Sequence, residues 1–153
     1  MGVSMDPVML GPELLAEAEA RAEDLIAWRR EFHQFPELAF EENITASRVS
    51  QTLASFPGVE VVTGFGVPTA VLGVLRGDLP GPAVALRAEM DALALEEETG
   101  LSFASCIPGV MHACGHDAHM AALLGCASLL SQRAESLTRP VVFVFQPAEE
   151  GKG

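Results

Sequence analysis

Three of the four histidines and one of the three cysteines fall in a single short loop, residues 111–119. Imidazole nitrogen and thiolate sulfur are the ligands that zinc and neighbouring divalent metals prefer. Cys114 and His116 are two positions apart, so an extended backbone directs both side chains to the same side. Gly115 between them lets the chain bend tightly. The loop therefore predicts a divalent-metal site, and the alternative is a polar loop whose histidines are hydrogen-bonded for structural reasons.

The other polar residues of this loop have less definite roles. His112 and His119 could each bind metal directly or hydrogen-bond to a residue that does. Asp117 could orient a ligand histidine through its ring N–H, and it could also cap the helix that follows.

Acidic residues follow two segments that the sequence predicts as strands. The pair Glu149–Glu150 comes after 141–145, and Glu89 and Asp91 come after 83–86. Neighbouring carboxylates at a strand end can divide their roles, one coordinating metal and the other moving protons. The Glu-Glu pair alone is more typical of solvent-exposed surface, and the histidine loop is what favours a site.

Apolar residues follow a pattern of helices alternating with buried strands. We predict helices over 12–33, 42–56 and 118–133, and strands over 59–63, 69–75, 83–86 and 141–145. This order is typical of an α/β layered fold, in which ligands bind at the carboxyl ends of strands. Residues 1–10 are expected to be a flexible N-terminal tail, and residues 11–153 to belong to one domain.

The bulk properties exclude several classes of function. The chain has 153 residues and a net charge of -12, a field that repels phosphate backbones, so no nucleic-acid partner is expected. The acidic runs 41–42 and 96–98 are expected to be solvated surface. No apolar run reaches about 18 residues, so no membrane partner is expected. An odd number of cysteines without a signal-peptide pattern predicts a cytoplasmic location.

Four segments resemble the aminoacylase and hippurate-hydrolase type of amidohydrolase, within the dinuclear zinc exopeptidase superfamily. In chain order they are RREFHQFPEL at 29–38, LRAEMDAL at 86–93, MHACGHD at 111–117 and FQPAEE at 145–150. The resemblance implies an α/β, three-layer zinc-exopeptidase-like catalytic domain, which in the family is interrupted by a smaller lid domain that often forms the dimer contact. The chain would then be the N-terminal part of that domain, truncated after the Glu-Glu motif and without the lid.

The resemblance also implies individual roles. Cys114, His116 and Glu150 would be metal ligands, Glu149 the general base and acid, and Asp91 a residue that orients a ligand. A complete site would hold two divalent cations, zinc or manganese, with cobalt and nickel as further options. Two more histidine ligands of the family come from beyond the Glu-Glu pair, and this chain has no histidine after the 111–119 loop.

The implied activity is metal-dependent hydrolysis of amide bonds in N-acyl amino acids or small peptide-like amides. The metal would activate a water whose proton Glu149 removes and then hands to the leaving amine. We expect the chain alone to be inactive and the full-length form to be a homodimer or homotetramer.

Two alternatives and two departures from the family pattern stay open. One alternative is a hydrolase with Cys114 as nucleophile, paired with His112 or His116. The other is a non-catalytic metal-binding fragment. Glu89 stands where the family usually has Asp, which leaves its role open, and Ala94 stands where the family usually has Pro.

Overall fold

A computed structural model describes the backbone of residues 7–78 and 81–151. The predicted tail over 1–10 is only partly covered: residues 1–6 lie outside the described residues, and from Pro7 onward the backbone is helical. The bounds of the four α-helices are α1 Pro7–Glu19, α2 Ala22–Gln34, α3 Asn43–Ala54 and α4 His116–Ser131. The strands are β1 Glu60–Thr63, β2 Val71–Leu75, β3 Val84–Glu89 and β4 Val141–Gln146, and a short 3-10 helix spans Ala134–Ser136.

The four strands form one mixed sheet in the order β1-β2-β4-β3. β1 pairs antiparallel with β2, and β2 pairs antiparallel with β4. β3 and β4 run parallel, with Val84 opposite Val141 and Glu89 opposite Gln146. The crossover between these two parallel strands contains α4, as the βαβ unit requires. Their carboxyl ends therefore meet at one edge of the sheet, and the α/β class predicted from the sequence is confirmed.

The core lies between the sheet and the helices. α3 packs against β1 and β2, α4 packs against β3 and β4, and the two helices contact each other. Side chains at alternate strand positions point into this layer, because successive strand residues face opposite sides. α1 and α2 pack against α4. The fully buried large side chains include Leu53, Leu75, Met120, Leu124, Phe143 and Phe145.

The predicted helix over 12–33 is in fact two helices, broken at residues 20–21. The Arg21 guanidinium donates from Nη1 to the backbone carbonyl of Glu17 and from Nε to Ser128 Oγ. A carbonyl at the end of α1 is thereby satisfied by a side chain, so the helix can end there without a buried unpaired oxygen.

Two further sequence predictions need correction. Asp117 does not cap α4: Gly115, with φ of 90°, occupies the N-cap position and Asp117 lies in the first turn. β3 extends to Glu89, three residues beyond the prediction, and it is not fully buried, because Val84 is 51% exposed at the edge of the described sheet. Among the described residues, no helix is long and apolar enough to cross a membrane.

Candidate metal centre

The loop after β3 is fixed by backbone hydrogen bonds on both sides. Met90 N–H donates to the Gln146 carbonyl at 2.9 Å, and Ala92 N–H donates to the Glu37 carbonyl at 2.8 Å. Asp91 lies between these two anchors and is completely buried. Its position is thus determined by the main chain of β4 and of the segment before α3.

His116 is the first residue of α4, and its ring is oriented by Asp91. Nδ1 lies 2.9 Å from the Asp91 carbonyl oxygen, and because a carbonyl can only accept, Nδ1–H is the donor. The neutral ring then has its lone pair on Nε2. A backbone carbonyl that fixes the tautomer in this way is the usual support of a metal-binding histidine.

The Glu-Glu pair follows β4 on a short turn that two buried carboxylates hold. Ala148 has φ of 57°, in the left-handed region, and its N–H donates to Glu42 Oε1 at 2.8 Å. Glu150 N–H donates to Asp91 Oδ2 at 2.8 Å. The backbone on both sides of Glu149 is therefore anchored to carboxylates from other parts of the chain.

These anchors bring three predicted ligands together. Cys114, His116 and Glu150, here called the Cys-His-Glu trio, each offer a ligand atom, and the three atoms lie within 4.8 Å of one another. Glu149 stands beside the trio, with Oε2 3.8 Å from His116 Nε2. Asp91, predicted to orient a ligand, contacts His116 through its carbonyl and also through Oδ1 at 3.3 Å from Nδ1.

The donor chemistry of the trio fits a divalent cation. Burial raises the pKa of the Cys114 thiol, and the negative charges of Glu150 and Asp91 raise it further. A bound cation reverses that balance, because coordination stabilises the thiolate. Sulfur, imidazole nitrogen and carboxylate oxygen together are a zinc-type donor set.

A second group shares His116 with the trio. Ligand atoms of Glu89, His116 and His119 also lie within 4.8 Å of one another. His119 Nδ1 is 2.9 Å from Glu89 Oε2, and Arg87 Nη2 is 3.1 Å from Glu89 Oε1. Burial opposes ionisation of Glu89, but the hydrogen bond from His119 and the charge of Arg87 hold the pKa of this carboxyl below its usual range. Glu89 and His119 therefore lie at the edge of the centre.

Asp117 belongs to a buried network on α2 rather than to the trio. Its Oδ2 accepts from His33 Nδ1 at 2.8 Å and from Arg29 Nε at 3.2 Å. The histidine that Asp117 orients is thus His33, which is not among the predicted ligands. His33 Nε2 in turn lies 3.2 Å from Glu97 Oε1.

His112 is also outside the trio. It is 3% exposed, and neither ring nitrogen has a hydrogen-bond partner within the described residues. Burial lowers the pKa of His112 to about 4, and the neighbouring charges of His33 and His116 act in the same direction. The ring is therefore neutral near pH 7.

Two acidic residues that the sequence assigned to solvated surface are buried and structural. Glu42 is fully buried, and the side chain of Glu97 is 4% exposed. Burial disfavours the charged form of Glu97, but hydrogen bonds from Ser105 N–H, the Thr99 hydroxyl and His33 bring its pKa below the ordinary value. Sequence reasoning missed both residues because their main partners include backbone N–H groups of distant segments, which carry no sequence signal.

Comparison with known proteins shows which family this centre resembles. Residues 85–153 match Peptidase family M20/M25/M40. The part of the chain that holds this centre is therefore similar to M20 peptidases. The matched residues contain the Cys-His-Glu trio, Glu149 and Asp91, so the family signature and the geometric centre coincide.

Similarity to curated proteins extends over most of the chain. It is 51% identical over 129 residues to thermostable carboxypeptidase 1 of Saccharolobus solfataricus, covering 84% of this chain and 33% of that protein. It is 50% identical over 127 residues to an N-acyl-L-amino acid amidohydrolase of Geobacillus stearothermophilus, covering 83% of this chain and 34% of that protein. The chain thus spans about a third of the length of the curated relatives it matches.

Solved M20 structures share the fold. A Bacillus subtilis protein described as a dinuclear metal-binding peptidase of the M20 family superimposes with a TM-score of 0.81 at 42% identity. The match covers 86% of this chain and 36% of the other. The arrangement of helices and sheet described above is therefore that of part of an M20 catalytic domain.

Proposed function

We propose that this chain supplies the metal-binding part of the active site of an amidohydrolase that acts on N-acyl amino acids or small peptide-like amides. The observation that carries the proposal is the convergence of the Cys-His-Glu trio, with Glu149 Oε2 3.8 Å from His116 Nε2. Amidohydrolase and carboxypeptidase activities in the names of the relatives support hydrolysis of a carbon–nitrogen bond.

Cys114, His116 and Glu150 would hold a divalent cation, zinc or manganese. Such a cation, when bound, lowers the pKa of a coordinated water and polarises the substrate carbonyl. The dinuclear description of the Bacillus subtilis structure supports two cations per complete site. We propose that the other ligands are histidines outside this chain, so that the chain alone binds metal without turning over substrate.

Glu149 would carry the proton. Its side chain is 40% exposed, so it can reach both a water and a leaving group. A carboxylate there can remove a proton from the attacking water and return it to the leaving amine, and such a group must lie within hydrogen-bond reach of the proton it moves. Asp91 would keep Nε2 of His116 directed toward Cys114 and Glu150, and its carboxylate would hold the Glu150 backbone.

Residues 11–153 would form the N-terminal part of the catalytic domain, with the full-length form a homodimer or homotetramer in the cytoplasm. Burial raises the pKa of the Cys114 thiol, which disfavours the thiolate that a cysteine nucleophile needs.

An activity comparison tests the proposal. The chain and a longer form of the protein that includes downstream histidines would be assayed with zinc or manganese on N-acetyl amino acids and dipeptides. We expect hydrolysis by the longer form only, abolished by a chelator and by Glu149→Gln, while Glu149→Gln retains bound metal. Near-normal turnover of the Glu149→Gln variant would remove this residue from the proton-transfer role, and robust hydrolysis by the chain alone would refute the proposed ligand count.

A further inference from the structure

We infer that Glu42 is a positioning residue that directs Glu149 into the centre by binding the backbone amide of Ala148. This inference rests on the proposed function, because it assigns the orientation of the proposed proton carrier to a carboxylate that binds a backbone amide 106 positions away in the sequence. Glu42 itself touches none of the proposed metal ligands.

The first observation is the environment of the Glu42 carboxylate. It is 0% exposed, with Oε1 accepting from Ala148 N–H at 2.8 Å and Oε2 accepting from the Thr69 hydroxyl at 2.9 Å. Within the described residues it forms no ion pair. Burying a carboxylate without a cation costs free energy unless hydrogen bonds replace its water. The two donors offset that cost, and one of them is the amide that precedes Glu149.

The second observation is the backbone conformation at Ala148. A non-glycine residue with φ of 57° is in a region that side chains disfavour, so surrounding contacts must maintain it. Glu42 holds the N–H of Ala148, and Asp91 holds the N–H of Glu150 at 2.8 Å. The left-handed residue sets the direction in which the chain leaves β4.

The third observation concerns Glu149 itself. In the described part of the chain its carboxylate makes one charged contact, to His116 at 3.8 Å, and accepts no hydrogen bond from a protein donor. Its side chain is therefore not oriented by partners of its own. The two backbone anchors on either side determine the direction of its Cα–Cβ bond, and with it the region that the carboxylate can reach.

Glu42 is rigid enough for this task. It directly precedes α3, and its carbonyl accepts from Ala46 N–H at 2.9 Å. The Glu37 carboxylate accepts from the N–H groups of Ile44 and Thr45, at 3.1 and 2.7 Å, which fixes the first turn of that helix. The same segment also holds the Asp91 loop, because the Glu37 carbonyl accepts from Ala92 N–H. Residues 37–45 therefore contact both loops of the centre: the Glu42 carboxylate binds the turn at Ala148, and the Glu37 carbonyl binds the loop that holds Asp91.

Substitutions at position 42 that change either the length or the charge of the side chain test the inference. Glu42→Asp keeps the charge but shortens the side chain by one methylene, so it cannot reach both donors. Glu42→Gln removes the charge but keeps the reach: its carbonyl can accept from Ala148, and its amide can donate to the Thr69 hydroxyl, which rotates to accept. Thr69→Val is the matched control, since it removes the other partner and leaves the contact to Ala148.

The readout is hydrogen exchange of the Ala148 amide, measured by NMR on the purified chain, with the Phe143 amide in β4 as the global reference. We expect Ala148 exchange to accelerate by about tenfold or more in Glu42→Asp and Glu42→Ala, and by less than about threefold in Glu42→Gln and Thr69→Val. The acceleration at Ala148 should exceed that at Phe143 in Glu42→Asp, because Phe143 exchange reports only the change in global stability. If Glu42→Ala fails to fold, Glu42→Asp and Glu42→Gln still decide the question.

Cobalt binding to the same proteins separates the two proposals. We expect the wild-type chain and Glu42→Gln to bind cobalt with similar affinity and Glu42→Asp to bind it more weakly, because Glu150 follows the displaced turn. Unchanged Ala148 exchange in Glu42→Asp, with cobalt bound normally by the wild type, overturns the positioning role alone. Absence of cobalt binding by the wild type overturns the proposed function, whatever the exchange rates.

Discussion

The Asp91 carbonyl accepts the Nδ1–H of His116 at 2.9 Å, while the carboxylate of the same aspartate accepts the N–H of Glu150 at 2.8 Å. One buried residue therefore orients two members of the Cys-His-Glu trio through two different groups. The arrangement depends on the parallel pairing of β3 and β4, which brings the ends of both strands to the same edge.

Replacement of Asp91 by alanine should weaken both stability and metal binding. The variant removes the buried carboxylate that accepts from Glu150 N–H, and the loss of a hydrogen bond to a charged group costs about 1.5–3 kcal/mol of unfolding free energy. The variant keeps the carbonyl that accepts from His116 Nδ1–H but loses the carboxylate that holds the Glu150 backbone, so we expect metal affinity to fall by about tenfold, the lower end of the range for such supports. Urea unfolding of the metal-free chain and cobalt titration measure the two effects. The control is Glu60→Gln, which breaks an exposed ion pair with Arg76 and should change neither quantity appreciably. Equal cobalt affinity of Asp91→Ala and wild type would contradict this role of Asp91.

Replacement of Ala148 by glycine should stabilise the turn before Glu149. The left-handed conformation costs a non-glycine residue about 1–2 kcal/mol, and glycine adopts it freely, although it loses about 0.5–1 kcal/mol more backbone entropy on folding. We expect a net gain of up to about 1 kcal/mol in unfolding free energy. Ala148→Val should instead destabilise the chain, because a β-branched side chain is strained there. A glycine variant less stable than the valine variant would show that the backbone at 148 is not left-handed.

The stability of the metal-free chain should fall as pH decreases from about 6.5 to about 4, in part because of His112. An unfolded histidine binds a proton below about 6.5, whereas burial lowers the pKa of His112 in the folded chain to about 4. In that window the unfolded state holds more protons, so acid favours unfolding. His112→Leu removes this proton uptake and should show a shallower decline in urea-derived unfolding free energy. Parallel pH profiles for the two proteins would contradict the buried, neutral state of His112.

Acid should also remove the contribution of Glu97 to the free energy of unfolding. Hydrogen bonds from Ser105 and His33 outweigh burial and hold the pKa of this carboxyl below its ordinary value of 4.5. Its stabilisation is therefore present above that value and is lost as pH falls through the lower, folded-state pKa. We expect the difference in unfolding free energy between wild type and Glu97→Gln to be largest near pH 7 and to shrink below about pH 4. A difference independent of pH would show that Glu97 is not ionised in the folded chain.

The sequence predicted those parts of the fold that depend on local patterns. β1, β2 and β4 lie within two residues of their predicted bounds, since each is a short apolar run between turn residues. The break between α1 and α2 was missed, because it depends on Arg21 donating to the Glu17 carbonyl, and a helical apolar pattern continues across it. Helix α4 starts two residues earlier than predicted because Gly115, rather than Asp117, occupies its N-cap.

The candidate site divides in the same way. Cys114, His116 and the Glu-Glu pair were predicted because metal-binding residue types cluster in the sequence and match a family pattern, and ligand atoms of Cys114, His116 and Glu150 lie within 4.8 Å of one another. Glu42 was assigned to solvated surface, since its partner is a backbone N–H and any residue other than proline has one. Residue types that can bind metal are recognisable in the sequence itself. Residues that position the backbone are recognised only in the three-dimensional structure.

Cobalt titration of the purified chain, followed by visible and near-ultraviolet absorption, tests the central claim most directly. Cys106 and Cys126 are exposed free cysteines, so the double variant Cys106→Ser/Cys126→Ser is the matched control for Cys114→Ser. We expect wild type and control to show a thiolate-to-cobalt charge-transfer band that saturates on titration, and Cys114→Ser to lack it, with His116→Ala and Glu150→Gln binding more weakly. Equal cobalt binding by wild type and Cys114→Ser, without a thiolate band in either, would contradict a shared cation site formed by Cys114, His116 and Glu150.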